Sequence, residues 1–218
     1  MKWLAILLAV GLAIYAGIAV AFPTYTHRFR LTVEVETPQG VRSGSSVVEV
    51  ERKDQRWILI AQGRYVFRVR GEAVFVDLGE GRNLVALMGF GPLAENTDQM
   101  ISLWVEAYGQ YKWDEDVWSG RTKLRGPVEL RPPLIPTLAT FSDPSDPKTA
   151  RIVWPDELEE VFGPGVRFKR AWLEMTGDPV TKEIEQKLPM VRIHRDWMYK
   201  LYSEPTKFAP HLYLFLRS

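Results

Sequence analysis

From Trp3 to Phe22 the chain reads WLAILLAVGLAIYAGIAVAF, twenty residues without a charged or strongly polar side chain. A helix of this kind is apolar around its whole circumference and has no face to offer water. At about 1.5 Å per residue it would extend roughly 30 Å, the thickness of a bilayer's hydrocarbon core. Lys2 precedes the run, and Ala19-Val20-Ala21 supplies a small-x-small cleavage pattern, so the segment also resembles a secretory signal. Its length exceeds the roughly 7 to 15 apolar residues of a signal's core, which favours an uncleaved anchor. A core helix of a soluble domain would carry polar residues on one side, and this segment has none.

The expectation is a single-pass membrane protein. Residues 1–23 form the anchor or signal segment, with the lipid bilayer contacted through residues 3–22. Counting Lys2 against Arg28, Arg30 and Arg42 slightly favours a cytoplasmic body. Those arginines also suit the polar face of a strand, and an apolar N-terminus ahead of one long domain more often directs export. The reading is therefore an inner-membrane protein with an exported body. The alternative is a secreted or periplasmic body released by cleavage after Ala21.

Residues 24–218 are expected to form one soluble α+β domain, a β meander over 24–92 followed by a helical and mixed remainder over 93–218. Arg28 to Glu36 alternates without error, with Phe29, Leu31, Val33 and Val35 on one face, the pattern of a half-buried antiparallel strand. Pro38-Gln39-Gly40 and Ser43-Gly44 break the chain, and Ser46 to Arg52 resumes it with Val48 and Val50 opposite Glu49 and Glu51. Tyr65 to Arg70 alternates again. Arg70-Gly71-Glu72 reads as a tight turn into Ala73–Leu78, whose apolar run implies burial on both faces. Leu84 to Phe90 completes five strands.

Three short helices follow. The first has Asn96 as cap and a stripe of Met100, Leu103, Trp104, Ala107, Tyr108 and Tyr111, ending at Gly109. The second runs from Pro155 to Phe162 and stops at Gly163. The third runs from Pro179 to Leu188, with Asp178 as cap and Pro189 as terminator. Val166–Met175 and His211–Arg217 read as strands, and Arg131–Pro147 as a proline-rich loop.

With 28 basic and 27 acidic residues the net charge is +1, which argues against a nucleic-acid partner. The charge is uneven: residues 24–70 carry a net +4, residues 71–118 a net −7 and residues 119–218 a net +3. Complementarity between neighbouring elements accounts for this most simply. The absence of cysteine excludes disulfides, thiolate metal sites and a cysteine nucleophile.

The densest chemical cluster is Trp113-Asp114-Glu115-Asp116-Val117-Trp118. Carboxylates between indoles suit a hard cation or a sugar, and paired acids suit glycosidic hydrolysis. The spacing matches no calcium loop, so a solvated loop over packed tryptophans is the simpler account. On an extended segment His194 and Asp196 point the same way, which allows an oriented imidazole. The surface-site candidates are therefore Trp113, Asp114, Asp116, Trp118, His194 and Asp196. No nucleophile elbow, P-loop, dinucleotide-binding turn or paired-histidine metal motif is present, and no cofactor is implied.

Tyr25–Val50 and Leu134–Pro189, the latter with its Asp-Pro pairs, FGPGV and DPVTKEIEQKLP, resemble conserved uncharacterised bacterial proteins bearing one N-terminal hydrophobic segment. The resemblance implies a bacterial membrane-associated protein and brings no catalytic residue with it. Together these features point to a membrane-tethered envelope protein, a non-enzymatic accessory or interaction module for an unidentified membrane or envelope partner. The alternative is a carboxylate-dependent hydrolase or carbohydrate-active protein.

Overall fold

In the computed structural model, residues 2–54, 64–193 and 214–217 are described. The chain opens with α1 (Lys2–Ala21), a 20-residue helix. Its described side chains stand open, with Trp3 79% and Leu4 72% exposed and Leu7 and Leu8 close behind. Part of the helix lacks described side chains, and among the described residues no helix is long and apolar enough to cross a membrane.

After Phe22 and Pro23 comes β1 (Thr24–Thr37), which pairs antiparallel with β2 (Gly40–Asp54) along its whole length. The Pro38–Gly40 turn closes this hairpin as its sequence requires. The expected break at Ser43-Gly44 does not occur, and β2 runs straight through it. Glycine is required there for a different reason: a Cβ on Gly44 would lie 2.1 Å from the carbonyl oxygen of Phe75.

β3 (Tyr65–Glu72) pairs with β2, and β9 (Arg167–Met175) takes the other side of β1. The two-residue strands β6 (Val128–Glu129) and β10 (Leu216–Arg217) form the edges. The order is β10-β3-β2-β1-β9-β6, with every pair antiparallel. β1 thus lies in the interior of this sheet.

A second antiparallel sheet, ordered β4-β5-β7-β8, contains β4 (Val74–Gly79), β5 (Arg82–Ala86), β7 (Leu138–Phe141) and β8 (Ala150–Val153). The expected five-strand meander is therefore divided. Its first three strands build the large sheet, while the next two begin the small one. The apolar run at Ala73–Leu78 explains the division, because it needs cover on both faces. Val74, Val76 and Leu78 face the large sheet's Phe29, Leu31, Val33 and Val35 in the main core. Ala73 and Phe75 face a second cluster containing Leu87, Phe141, Ile184, Leu188 and Phe215. β7 lies within the stretch expected to be a proline-rich loop.

The molecule is α+β and mostly antiparallel, with more short helices than the three expected. α2 (Gln99–Ala107) begins where Asn96 Oδ1 accepts from the Gln99 amide at 3.2 Å, and Gly109 follows its end at φ +71°. Tyr111, expected in its buried stripe, lies beyond it and is 69% exposed. α3 (Glu115–Trp118) was not expected, and α4 (Leu158–Phe162) is shorter than its sequence suggested.

The helix expected over Pro179–Leu188 is largely absent. α5 (Ile184–Lys187) is a single turn, and α6 (Pro189–Ile193) starts at the proline expected to terminate it. Thr181 holds the preceding segment open by bonding to β2. Its amide donates to the Val47 carbonyl at 3.3 Å, and its Oγ1 accepts from the Val47 amide at 2.8 Å. Asp178 is taken by Arg30 and Thr176 rather than by a helix terminus.

Candidate functional site

The Trp113–Trp118 cluster folds into α3 and the turn before it. Asp114 Oδ1 accepts from the amides of Asp116 at 2.8 Å and Val117 at 3.2 Å, so this carboxylate is the helix cap. Asp116 accepts from Arg121 Nε at 2.7 Å. Trp118 is fully buried and donates from Nε1 to the Lys112 carbonyl at 2.8 Å. Trp113 is half-buried and leans on Phe67, ring centroids 5.4 Å apart. Asp114 and Asp116 therefore have separate structural partners and do not converge. His194 and Asp196 lie outside the described residues. Among the described residues no group of three or more His, Cys, Asp or Glu side chains could hold a metal ion.

The third carboxylate of the cluster, Glu115, turns inward. Its Oε2 accepts from Arg52 Nη2 at 2.7 Å, and its Oε1 from the Tyr65 hydroxyl. Arg52 is 1% exposed. Its guanidinium carbon lies over three rings: Tyr65 at 4.6 Å, Trp118 at 4.9 Å and Tyr25 at 5.2 Å. Nε and Nη1 are buried and find no acceptor among the described residues. The π faces take the acceptors' place, an attraction that strengthens when the cation is desolvated. Burial alone would raise the Glu115 carboxyl, but the Tyr65 hydroxyl and Arg52 hold it below its ordinary value.

His27 completes this knot. It stacks on Trp104 at 4.3 Å, and its Nε2 donates to the Trp118 carbonyl at 2.8 Å. Burial lowers its pKa, the Trp118 carbonyl opposes this, and the charges of Arg52 and Lys123 add to the lowering. The arrangement ties the first residues of β1 and the end of β2 to α2 and α3.

The sheet's opposite face carries a different arrangement. Register places Arg28 of β1, Glu49 of β2 and Arg70 of β3 in one row. Glu49 is 5% exposed in its side chain and accepts from Arg28 Nε at 2.7 Å and from Arg70 Nη1 at 2.6 Å. Burial would raise the Glu49 carboxyl, but the two guanidinium groups outweigh it and keep it ionised to lower pH. Between this row and the segment from Pro179 to Arg192 lies a cavity of about 1100 Å³.

Arg28, Arg70, Lys182, Arg192 and Arg217 contribute the cations lining this cavity. Of its carboxylates, Glu49 has both oxygens on arginines. Glu72 is buried, and its oxygens accept from the amides of Glu183 at 2.8 Å and Ile184 at 3.1 Å. The cations thus outnumber the carboxylates, and Glu49 and Glu72 are committed to the protein's own donors.

Neither arrangement was singled out from the sequence. Arg52 had a visible signal, since it falls in phase with Val48 and Val50 on the apolar side of its strand. The Arg28–Glu49–Arg70 row had none, because its members meet only once strand register is fixed. No family model, curated protein or solved structure matches this chain.

Proposed function

We propose that this chain is a membrane-tethered bacterial envelope protein whose body, on the exported side of the inner membrane, serves as a non-enzymatic interaction module. The observation that carries the reading is α1 itself, an apolar helix whose described side chains stand open and which leads, after two residues, into an interior strand of the large sheet. Exposed leucines and tryptophan in such density need apolar cover. A lipid bilayer suits them better than a groove would, since the uncharged run covers every side of the helix over about 30 Å. The resemblance to bacterial proteins with one N-terminal hydrophobic segment supports the same address. The hydrolase alternative gains nothing from Asp114 and Asp116, which cap a helix and pair with Arg121.

The test uses the absence of cysteine. A Gln39→Cys variant of the full chain, at the exposed β1–β2 turn, is expressed in bacteria. Intact spheroplasts are then treated with a membrane-impermeant maleimide, and the membranes are washed in alkaline carbonate. Labelled, carbonate-resistant chain of full intact mass is expected. Extraction by carbonate, or an intact mass lacking Met1–Ala21, would overturn the tether. Labelling only after lysis would overturn the exported orientation.

A further inference from the structure

We propose that the groove between the Arg28–Glu49–Arg70 row and the Pro179–Arg192 segment binds an organic phosphate, with its phosphoryl oxygens on the outer N–H groups of Arg28 and Arg70. The inference rests on the tethered reading only for the nearness of the groove to the bilayer. Its chemistry stands on the groove alone.

The guanidinium pair is preorganised. Glu49 lies between the two arginines, takes one donor from each and is itself buried, so neither side chain needs to be ordered when a ligand arrives. Arg28 directs Nη1 toward the Asp178 carbonyl at 3.5 Å, while its Nη2 has no acceptor among the described residues. The same holds for Nε and Nη2 of Arg70, apart from a looser approach of its Nη1 to Glu51 at 3.8 Å. One carboxylate between two arginines leaves the row with one net positive charge. Planar guanidinium forks match the oxygens of a phosphoryl group in spacing and direction.

Lys182 and Arg192 line the same cavity, are exposed, and have no ion pair among the described residues. The Glu72 carboxylate, which would otherwise repel an anion, is occupied by two backbone amides. The half-buried Glu185 is the third carboxylate of the lining, and the five cations exceed the three carboxylates by two.

Size and lining separate an organic phosphate from the bare ion. A cavity of about 1100 Å³ is at the upper end of small-molecule sites, far larger than inorganic phosphate needs. Pro179, Val180, Pro189 and Leu216 supply apolar wall for the remainder of the ligand. Arg28 is the fifth residue of β1, about 13 Å along the strand from its start beside α1. A phospholipid headgroup and a soluble phosphate ester are therefore both within reach, and both present the same chemistry.

Full-length protein in a neutral detergent is titrated by native mass spectrometry, in one arm with glycerol 3-phosphate and in the other with phosphatidylglycerol. One bound molecule per chain in either arm is expected, and the tighter arm identifies the source. Arg70→Lys keeps the charge beside Glu49 but loses the fork, and should weaken binding about tenfold. The Lys182→Gln/Arg192→Gln double variant touches no ion pair among the described residues and should also weaken binding about tenfold. Lys187→Gln, on α5 but outside the cavity lining, should leave it unchanged.

No adduct in either arm would overturn the proposal. So would equal binding by all three variants, or inorganic phosphate binding as tightly as both esters. If adducts form while carbonate extracts the chain from membranes, the tether falls and the groove stands. The reverse pair of results has the opposite meaning.

Discussion

Arg52 is a full charge in the apolar phase of a strand, under three aromatic rings and with one carboxylate partner among the described residues. Such an ion is stabilised largely by what surrounds it, and a shape-matched apolar replacement is often tolerated where truncation is not. Arg52→Ala should destabilise the body by about 3 kcal/mol through the cavity left among Tyr25, Tyr65 and Trp118. Arg52→Met, which refills the volume and leaves Glu115 at its half-exposed position, should cost less than about 1.5 kcal/mol. Denaturant midpoints of the two variants, followed by tryptophan fluorescence, separate these outcomes. Equal losses would place the stability in the ion pair rather than in packing.

His27 sets a second expectation at this scale. The groups facing it are the Trp104 ring, the Trp118 carbonyl, and the charges of Arg52 and Lys123, and its folded-state pKa lies below the ordinary 6.5. As pH falls through 6.5 the unfolded chain takes up a proton that the folded chain does not, so stability drops. The thermal midpoint should therefore be lower at pH 5.5 than at pH 7.5. His27→Gln should flatten that slope relative to the parent chain, and an unchanged slope would mean that another group carries it.

At the scale of elements, the two sheets approach closely where β2 crosses β4. Gly44 permits this because its missing Cβ leaves room for the Phe75 carbonyl. Gly44→Ala should cost about 2 to 3 kcal/mol by forcing the sheets apart. Gly177→Ala, with nothing within 4 Å of the new carbon and no left-handed φ, should change stability by less than about 0.5 kcal/mol. Chemical denaturation of the two variants side by side is the check.

Elements with a clean alternating period were legible in the sequence: β1 and β3 follow from their side-chain phase, and α2 from its stripe and cap. Where a distant partner decides the backbone, local signals failed. Thr181 bonds to Val47 and keeps Pro179–Lys182 extended, although the valine–isoleucine–leucine spacing reads as a helix. Ser43-Gly44 resembles a turn, yet its glycine serves a neighbouring sheet. Likewise, Asp114 and Asp116 looked like a ligand set because sequence shows proximity along the chain and not the backbone amides or arginines that claim each oxygen.

For the whole molecule, the near-zero net charge conceals two faces of one sheet with different roles. The core-side face buries a cation among aromatics, while the opposite face gathers cations along a groove. The acidic stretch from residue 71 to 118 contributes to both, with Glu72 taking the amides of Glu183 and Ile184 and Glu115 neutralising Arg52. Internal complementarity thus absorbs part of the imbalance. Nothing in the linear order of residues indicates that Arg28 and Arg70 share Glu49, because strand order and register are properties of the assembled sheet.

Only Phe22 and Pro23 separate α1 from β1, and the Pro23 carbonyl accepts from the Asp54 amide at 3.1 Å. Two extended residues reach about 7 Å, so the joint has almost no slack. Torque applied to the helix is delivered to an interior strand of the sheet, and a load on the sheet returns to the helix by the same route. Under the proposed tether the body would move less like a buoy on a line than like a blade on a shaft, with its height and its range of tilt set at the joint.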